Sequence, residues 1–267
     1  MGHRKVVRAV AAAVLAGVLA LAAGCGPQPL TPEARRLLEA GIDAYNQGDA
    51  SAAVQRLDTF LRDYGRMQRA DEARYYRGLA HYGLGQVDIA QEDLQRAAAR
   101  TSDDQLRGKA LIGLADIAYD AEDMPEAERL LGQSLDNLER GRPPRDRVLY
   151  RLGDALQRQS RWPQANRYFN QLIGDFEGTA LARQAGERVN GRHWTVEAGR
   201  FDNTSDAQGL AATLGRAGLS AVLRRRMVDD RLVVYVYVGQ YSTYQQAQRA
   251  LPQIRDICPD AVTAVSP

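Results

Sequence analysis

The chain has 267 residues, enough for more than one domain and a sizeable core, with 35 basic and 33 acidic residues and a net charge of +2. Arg4, Lys5 and Arg8 fall in the first 24 residues, which hold no acid, so the rest carries 32 basic against 33 acidic residues. That balance lacks the basic excess of a nucleic-acid protein; the 24 glycines follow no collagen period, and two cysteines at opposite ends, Cys25 and Cys258, build no disulfide framework.

The first element, residues 1–24, reads as a leader. The basic segment MGHRKVVR precedes VAAAVLAGVLALAAG, a charge-free run of 15 residues, short of the roughly 20 that span a bilayer. Small residues in AAG fit an ordinary signal-peptidase site, and a retained anchor is the other plain reading. Ala22-Ala23-Gly24-Cys25 also resembles the lipobox of bacterial lipoproteins, with its leucine one place early at Leu21. The resemblance implies that Cys25 is acylated and becomes the mature N-terminus. Gly26, rather than aspartate, at the second mature position implies the periplasmic face of the outer membrane, with palmitate among the acyl groups. Several acyl chains anchor stably where one does not. Residues 25–31 form a tether.

Residues 32–190 carry a helical period interrupted at Gly48, Gly65, Gly85, Gly141 and Gly174. Ala53, Ala90, Ala127 and Ala165 recur at intervals of 37, 37 and 38 residues. Four places after each stands Leu57, Leu94, Leu131 or Phe169, and twelve places before each stands Gly41, Gly78, Ala115 or Gly153. A small residue on the first helix of a hairpin lets the second approach, and the large residue fills the gap. The pattern predicts four stacked hairpins. Pro125 and Pro163 fall in first helical turns, where a missing N–H costs nothing, and Thr179–Val189 reads as a capping helix. GRPPRD is expected to break the stack. The repeats resemble the tetratricopeptide repeat in the longer form of outer-membrane-assembly lipoproteins, although the period exceeds the usual 34 and the consensus aromatic is missing at Leu37, Arg74, Leu111 and Leu149. Tyr75, Tyr76 and Trp162 read as repeat packing, with a concave peptide-binding surface as the alternative. Acids in DNLER and QEDLQ read as solvated faces.

From residue 192 to 267 strands alternate with helices. HWTVEAGRFDNTSDAQ at 193–208 is echoed by VVYVYVGQYSTYQQAQ at 233–248, matching Gly199, Phe201 and Ala207 to Gly239, Tyr241 and Ala247. Alternation puts Trp194, Val196, Ala198, Val234, Val236 and Val238 on a core face, with Thr195, Glu197, Gly199, Phe201, Tyr235, Tyr237 and Tyr241 on the other. Helices follow at Ser205–Arg216 and Ser242 to about Ile257; Ala221–Val228 is a strand turning at Asp229-Asp230, and Asp260–Val265 a last one. The expected fold class is an all-α helical-repeat solenoid followed by a small α+β domain. That domain is a split βαβ: a four-stranded antiparallel sheet with both helices on one face and the tyrosine face open.

WTVEAGRF at 194–201 and YVYVGQY at 235–241, with Ala207 and Ala247, resemble the SPOR domain, a bacterial module that binds septal peptidoglycan at glycan strands stripped of stem peptides. The resemblance implies glycan contacts at Thr195, Glu197, Arg224, Arg226, Tyr235 and Tyr237; Glu197 departs from the family's usual glutamine. Arginine forks suit lactyl carboxylates, and tyrosines cover sugar faces. A register slip of one residue exchanges Arg224 and Arg226 for Arg225. An RNA-binding sheet fits poorly, since residues 192–267 hold nine arginines and seven acids.

Catalytic patterns are missing from the sequence. His3 leaves with the leader, His81 reads as a packed core residue, and His193 stands at a strand entry. No HExxH, P-loop or GxSxG occurs, and no carboxylate pair is marked for glycoside hydrolysis. Cys258 reads as an apolar contact or free thiol. No enzyme activity, cofactor or metal is expected. The leading expectation is a non-enzymatic envelope lipoprotein. It binds glycan through its last domain and a protein partner through its repeats, in cell division or wall remodelling. An outer-membrane or secretion-assembly scaffold without glycan binding, and a recruiter of a wall hydrolase, are the alternatives.

Overall fold

The computed structural model describes residues 28–228 and 231–266. The leader, Cys25, the start of the tether and the Asp229-Asp230 turn lie outside the described residues. Among the described residues no helix is long and apolar enough to cross a membrane. The chain divides into two compact units that meet in sequence at Thr101 and Ser102.

The first unit holds two hairpins: α1 (Pro32–Asn46) with α2 (Ala50–Tyr64), and α3 (Ala70–Gly83) with α4 (Val87–Arg100). Thr31 and Asp49 cap α1 and α2 by accepting the N–H groups of Ala34 and Ala52. The alanine and leucine rungs are fully buried at Ala53, Leu57, Ala90 and Leu94. A Cβ on Gly41 would lie 2.7 Å from Leu57, and one on Gly78 would lie 2.9 Å from Leu94, so the small residues sit where the large ones press. Tyr76 packs edge-on against Tyr45 and Tyr75, at centroid distances of 5.6 and 5.0 Å. His81 is buried with Nδ1 2.5 Å from Gln86 Oε1.

One acid departs from the solvated-face reading. Asp93, in QEDLQ, is 2% exposed. Arg77 reaches it with Nε and Nη2 at 2.7 and 2.6 Å and spends Nη1 on Asp58. A buried carboxylate requires such a fork, and its partner lies a helix away, beyond the reach of a local pattern.

The second unit opens with α5 (Asp104–Asp120), α6 (Met124–Leu135), α7 (Arg145–Arg158), α8 (Trp162–Asp175) and α9 (Ala180–Arg188). Ala127, Leu131, Ala165 and Phe169 repeat the buried rungs. Pro125 and Pro163 occupy first turns, and Thr179 caps α9, the expected capping helix. Gly174 does not punctuate: α8 runs through it to Asp175. GRPPRD does not open the stack either. Arg145 is buried and donates Nη1 to the carbonyls of Leu135 and Leu138 at 2.7 and 3.1 Å, drawing the joint closed between α6 and α7.

Beyond α9 come β1 (His193–Phe201), α10 (Thr204–Arg216), β2 (Ala221–Val228), β3 (Arg231–Tyr241), α11 (Tyr244–Arg255) and β4 (Val262–Ser266). The antiparallel sheet runs β2-β3-β1-β4. Val196, Ala198, Val234, Val236 and Val238 form its core with Leu214 of α10 and Ile254 of α11. Asn203 and Thr243 cap the two helices at equivalent places.

Phe201 and Tyr241 depart from the expected alternation: both pack against the valine core. The β1–β3 register slips between Trp194 and Val196 and again between Glu197 and Gly199. Such bulges re-aim the residues beyond them. Each aromatic turns back over the glycine two places before it. A Cβ would lie 3.0 Å from Phe201 at Gly199 and 2.5 Å from Tyr241 at Gly239, where φ is +73°.

Gly153 tests the packing rule, because a Cβ there would lie 2.5 Å from Phe169 Cζ and a rigid ring yields little. Gly153→Ala is expected to cost about 1–3 kcal/mol, read as a lower midpoint in urea or heat. Gly132, in α6 with open space around its Cβ direction, is the control: Gly132→Ala is expected to gain about 0.5–1 kcal/mol.

Candidate functional site

The sheet face opposite α10 and α11 is set by register. Arg224 opposes Tyr235, Val222 opposes Tyr237 on β2, and Glu197 opposes Tyr237 on β1; directly opposed residues share a face. Arg224 and Arg226 therefore stand on the tyrosine face. Arg225 points to the helix side, where Nη2 lies 3.5 Å from Thr204 Oγ1 of α10. Tyr235 and Tyr237 are two apart on one strand and lie parallel, with centroids 5.8 Å apart and planes 7° apart.

That face is not the open platform alternation predicts. Tyr235 and Tyr237 are only 4% and 7% exposed. The guanidinium groups of Arg200 and Arg226 lie 5.2 and 5.7 Å from the Tyr235 ring centre. Side chains at the end of the repeats stand over part of the remainder and leave a cavity of about 250 Å³. Its floor includes Arg226, Tyr235, Tyr237 and Glu197; Tyr150 and Asp154 of α7 and Glu187 and Arg188 of α9 also line it.

The six expected contact residues thus separate. Glu197, Arg226, Tyr235 and Tyr237 share the cavity. Arg224 is exposed on the same face outside it. Thr195 is 1% exposed, its hydroxyl lying 3.2 and 2.9 Å from the carbonyl oxygens of Val238 and Gly239, so it serves the bulge and not a ligand. Glu197 is paired with Arg200, a residue the sequence reading left out because only the bulge brings it there.

A second group fastens the sheet to the repeats. Trp194 is 3% exposed and donates Nε1 to the carbonyl of Gln157 at 3.3 Å. Its ring meets Tyr244 of α11 at 4.8 Å and Trp162 of α8 at 5.7 Å, so Trp162 packs on the C-terminal domain, not merely within its repeat. Arg188 lies 5.9 Å from the Trp194 ring centre, pairs with Asp154, and donates Nε to Gln157 Oε1 at 2.9 Å. Asp154 also accepts the Tyr119 hydroxyl and faces Arg158 Nε at 2.8 Å. Arg158 in turn covers Tyr244 at 4.3 Å, and Ser160 Oγ donates to the carbonyl of Ser242 at 2.9 Å.

Burial alone would pull the Arg188 guanidinium down, but Asp154 and Tyr150 outweigh it and hold it above its ordinary value. Burial pushes the Tyr237 phenol up to about 12; Arg226 opposes the rise and Glu197 adds to it. Cys258 is buried in the sheet core, and burial pushes its thiol up. Among the described residues no group of three or more His, Cys, Asp or Glu is placed to hold a metal ion. Arginine forks and phenols share the small cavity with three carboxylates, Asp154, Glu187 and Glu197, a set that suits a polar ligand.

Residues 190–261 match the SPOR domain family. Residues 38–88 and 78–142 match one tetratricopeptide repeat family, and residues 147–179 match another. Among solved structures, a tetratricopeptide repeat protein from Parabacteroides merdae is 16% identical with a TM-score of 0.50, covering 59% of this chain. This chain spans 59% of the length of that structure. The C-terminal part of a tetratricopeptide repeat protein from Cytophaga hutchinsonii is also 16% identical, with a TM-score of 0.48 and coverage of 59% and 58%. A structure of MamA is 23% identical, with a TM-score of 0.46 and coverage of 57% and 78%. No curated protein matches the chain.

Two measurements check the site. The folded chain holds the Tyr237 proton more tightly than the unfolded chain, whose phenol titrates near 10, and its own value is about 12. This contribution to stability is complete below pH 10 and is lost as the pH rises through about 12. Stability followed by urea titration is expected to fall across that window, and Tyr237→Phe is expected to remove part of the slope. Asp154→Ala leaves Arg188 buried without its carboxylate and is expected to cost about 3–5 kcal/mol in the unfolding of the second unit.

Proposed function

We propose that this chain, which carries tetratricopeptide repeats and a C-terminal SPOR domain, is a non-enzymatic binding protein of the bacterial cell envelope. Its last domain takes peptidoglycan at denuded glycan strands, and its repeats hold a protein partner. Acylated Cys25 anchors it to the periplasmic face of the outer membrane, where it serves cell division or wall remodelling. The observation that carries the reading is the coincidence of the SPOR match with a cavity of arginine and tyrosine side chains on the sheet of that domain. A denuded glycan keeps its lactyl carboxylates and N-acetyl groups. Arg226 supplies a fork for the first, and the phenols supply hydrogen bonds for the second.

A second reading, an assembly scaffold that does not bind glycan, is favoured by the burial of Thr195, Tyr235 and Tyr237. Co-sedimentation with cell-wall sacculi separates the two. The chain from residue 26 onward is expected to pellet with amidase-denuded sacculi and much less with intact ones. Arg226→Ala, at a half-buried site, is expected to weaken pelleting by about 5- to 10-fold, the loss of one charge-assisted contact. Equal weak pelleting with both walls, or none, would leave the scaffold reading.

A further inference from the structure

The cavity has two sides, and only one belongs to the SPOR domain. Arg226, Tyr235 and Tyr237 come from the sheet, whereas Tyr150 comes from α7 and Glu187 and Arg188 from α9. We infer that the ligand site is composite: the last repeat and its capping helix form a wall of the site that holds an acidic glycan segment against the sheet. The inference rests on the glycan reading above.

Three observations support it. The cavity, at about 250 Å³, is smaller than the ~300–1,000 Å³ of ordinary small-molecule sites. A sugar ring seated on Arg226 and the tyrosines therefore meets the α7 and α9 side chains as well. The wall is fixed, because Trp194, Gln157 and Arg188 lock β1 to α7 and α9 through hydrogen bonds of 3.3 and 2.9 Å; a ligand cannot push it aside without breaking them. The wall also has a charge of its own. Glu187 is exposed on α9 and lines the cavity; it adds last, after Glu197 and Tyr235, to what holds the Arg200 guanidinium above its ordinary value against burial. It competes with a ligand carboxylate for the arginines and tunes the site against weak acidic binders.

Both tryptophans of the chain, Trp162 and Trp194, stand at this junction, so tryptophan fluorescence, excited selectively over tyrosine, reports on it. The chain from residue 26 is titrated with soluble glycan strands released by amidase, following fluorescence and pelleted fraction together. A fluorescence change with the same midpoint as binding is expected. Glu187→Gln is expected to tighten binding about threefold at low salt, with the gain fading as salt rises. Tyr150→Phe, which removes one hydroxyl from the wall, is expected to weaken it about two- to fivefold. Thermal midpoints are measured alongside, so that a loss of fold is not read as a loss of contact. If the wild-type chain binds while fluorescence stays flat and both variants bind equally well, the ligand lies elsewhere on the sheet and the composite site is wrong. If the wild-type chain does not bind, the glycan reading falls with it.

Discussion

Asp154 receives the Tyr119 hydroxyl from α5, and pairs with Arg158 of its own helix and Arg188 of α9; the union of the repeats with the sheet is organised around it. A carboxylate this deep is stable only if fully paired, and two arginines around one acid leave a surplus positive charge. Aromatic faces take up that surplus. Arg158 lies over Tyr119 and Tyr244, and Arg188 over Tyr150, Phe169 and Trp194. Each ring's negative face is worth more to a guanidinium out of water than in it. Tyr244 and Trp194 belong to the sheet domain, so the same charge that closes the last hairpin also holds the domain.

This attachment changes what the sheet presents. A four-stranded sheet with helices on one side would offer its other side as a flat platform. Here the bound repeats and the Arg200 and Arg226 guanidinium groups reduce it to a cavity over Tyr235 and Tyr237. Val222 and Arg224 of β2 remain exposed on that side beyond the cavity. That side of the sheet is therefore walled near β1 and β4 and open along β2.

The repeats were legible because their rule is local. An alanine, a large residue four places on and a small residue twelve places back meet within one hairpin, and Gly153 against Phe169 shows how tightly. The sheet was legible in its order and in the side assigned to Arg224 and Arg226. Period two fails after a bulge, so Phe201 and Tyr241 fell on the wrong face. Asp93 is paired through Arg77 of the preceding helix, and Trp194 packs on Trp162 of α8. Neither partner stands at a spacing that periodicity can read. The cavity was hidden for the same reason, since one wall comes from Tyr150 and Glu187 and the floor from Arg226 and Tyr237.

The echo between the two halves of the sheet domain separates fold from site. Aligning 193–201 with 233–241 keeps Val196 with Val236, Ala198 with Val238, Gly199 with Gly239 and Phe201 with Tyr241. These matched residues build the core and the folded-back aromatics. The matching continues into Ala207 and Ala247, both fully buried, and into the caps Asn203 and Thr243. The positions that differ in kind are His193 against Val233, Trp194 against Val234, Thr195 against Tyr235, Glu197 against Tyr237 and Arg200 against Gln240. In the first half Trp194 anchors the domain to α7, while Glu197 and Arg200 pair at the cavity. In the second half two tyrosines make the floor. A symmetric pair of βαβ halves would bury two equivalent cores and bind the same way twice. This one uses its shared residues for folding and sets Trp194, Glu197 and Arg200 against Tyr235 and Tyr237 in an asymmetric site, so Trp194 of the first half docks while both halves face the cavity.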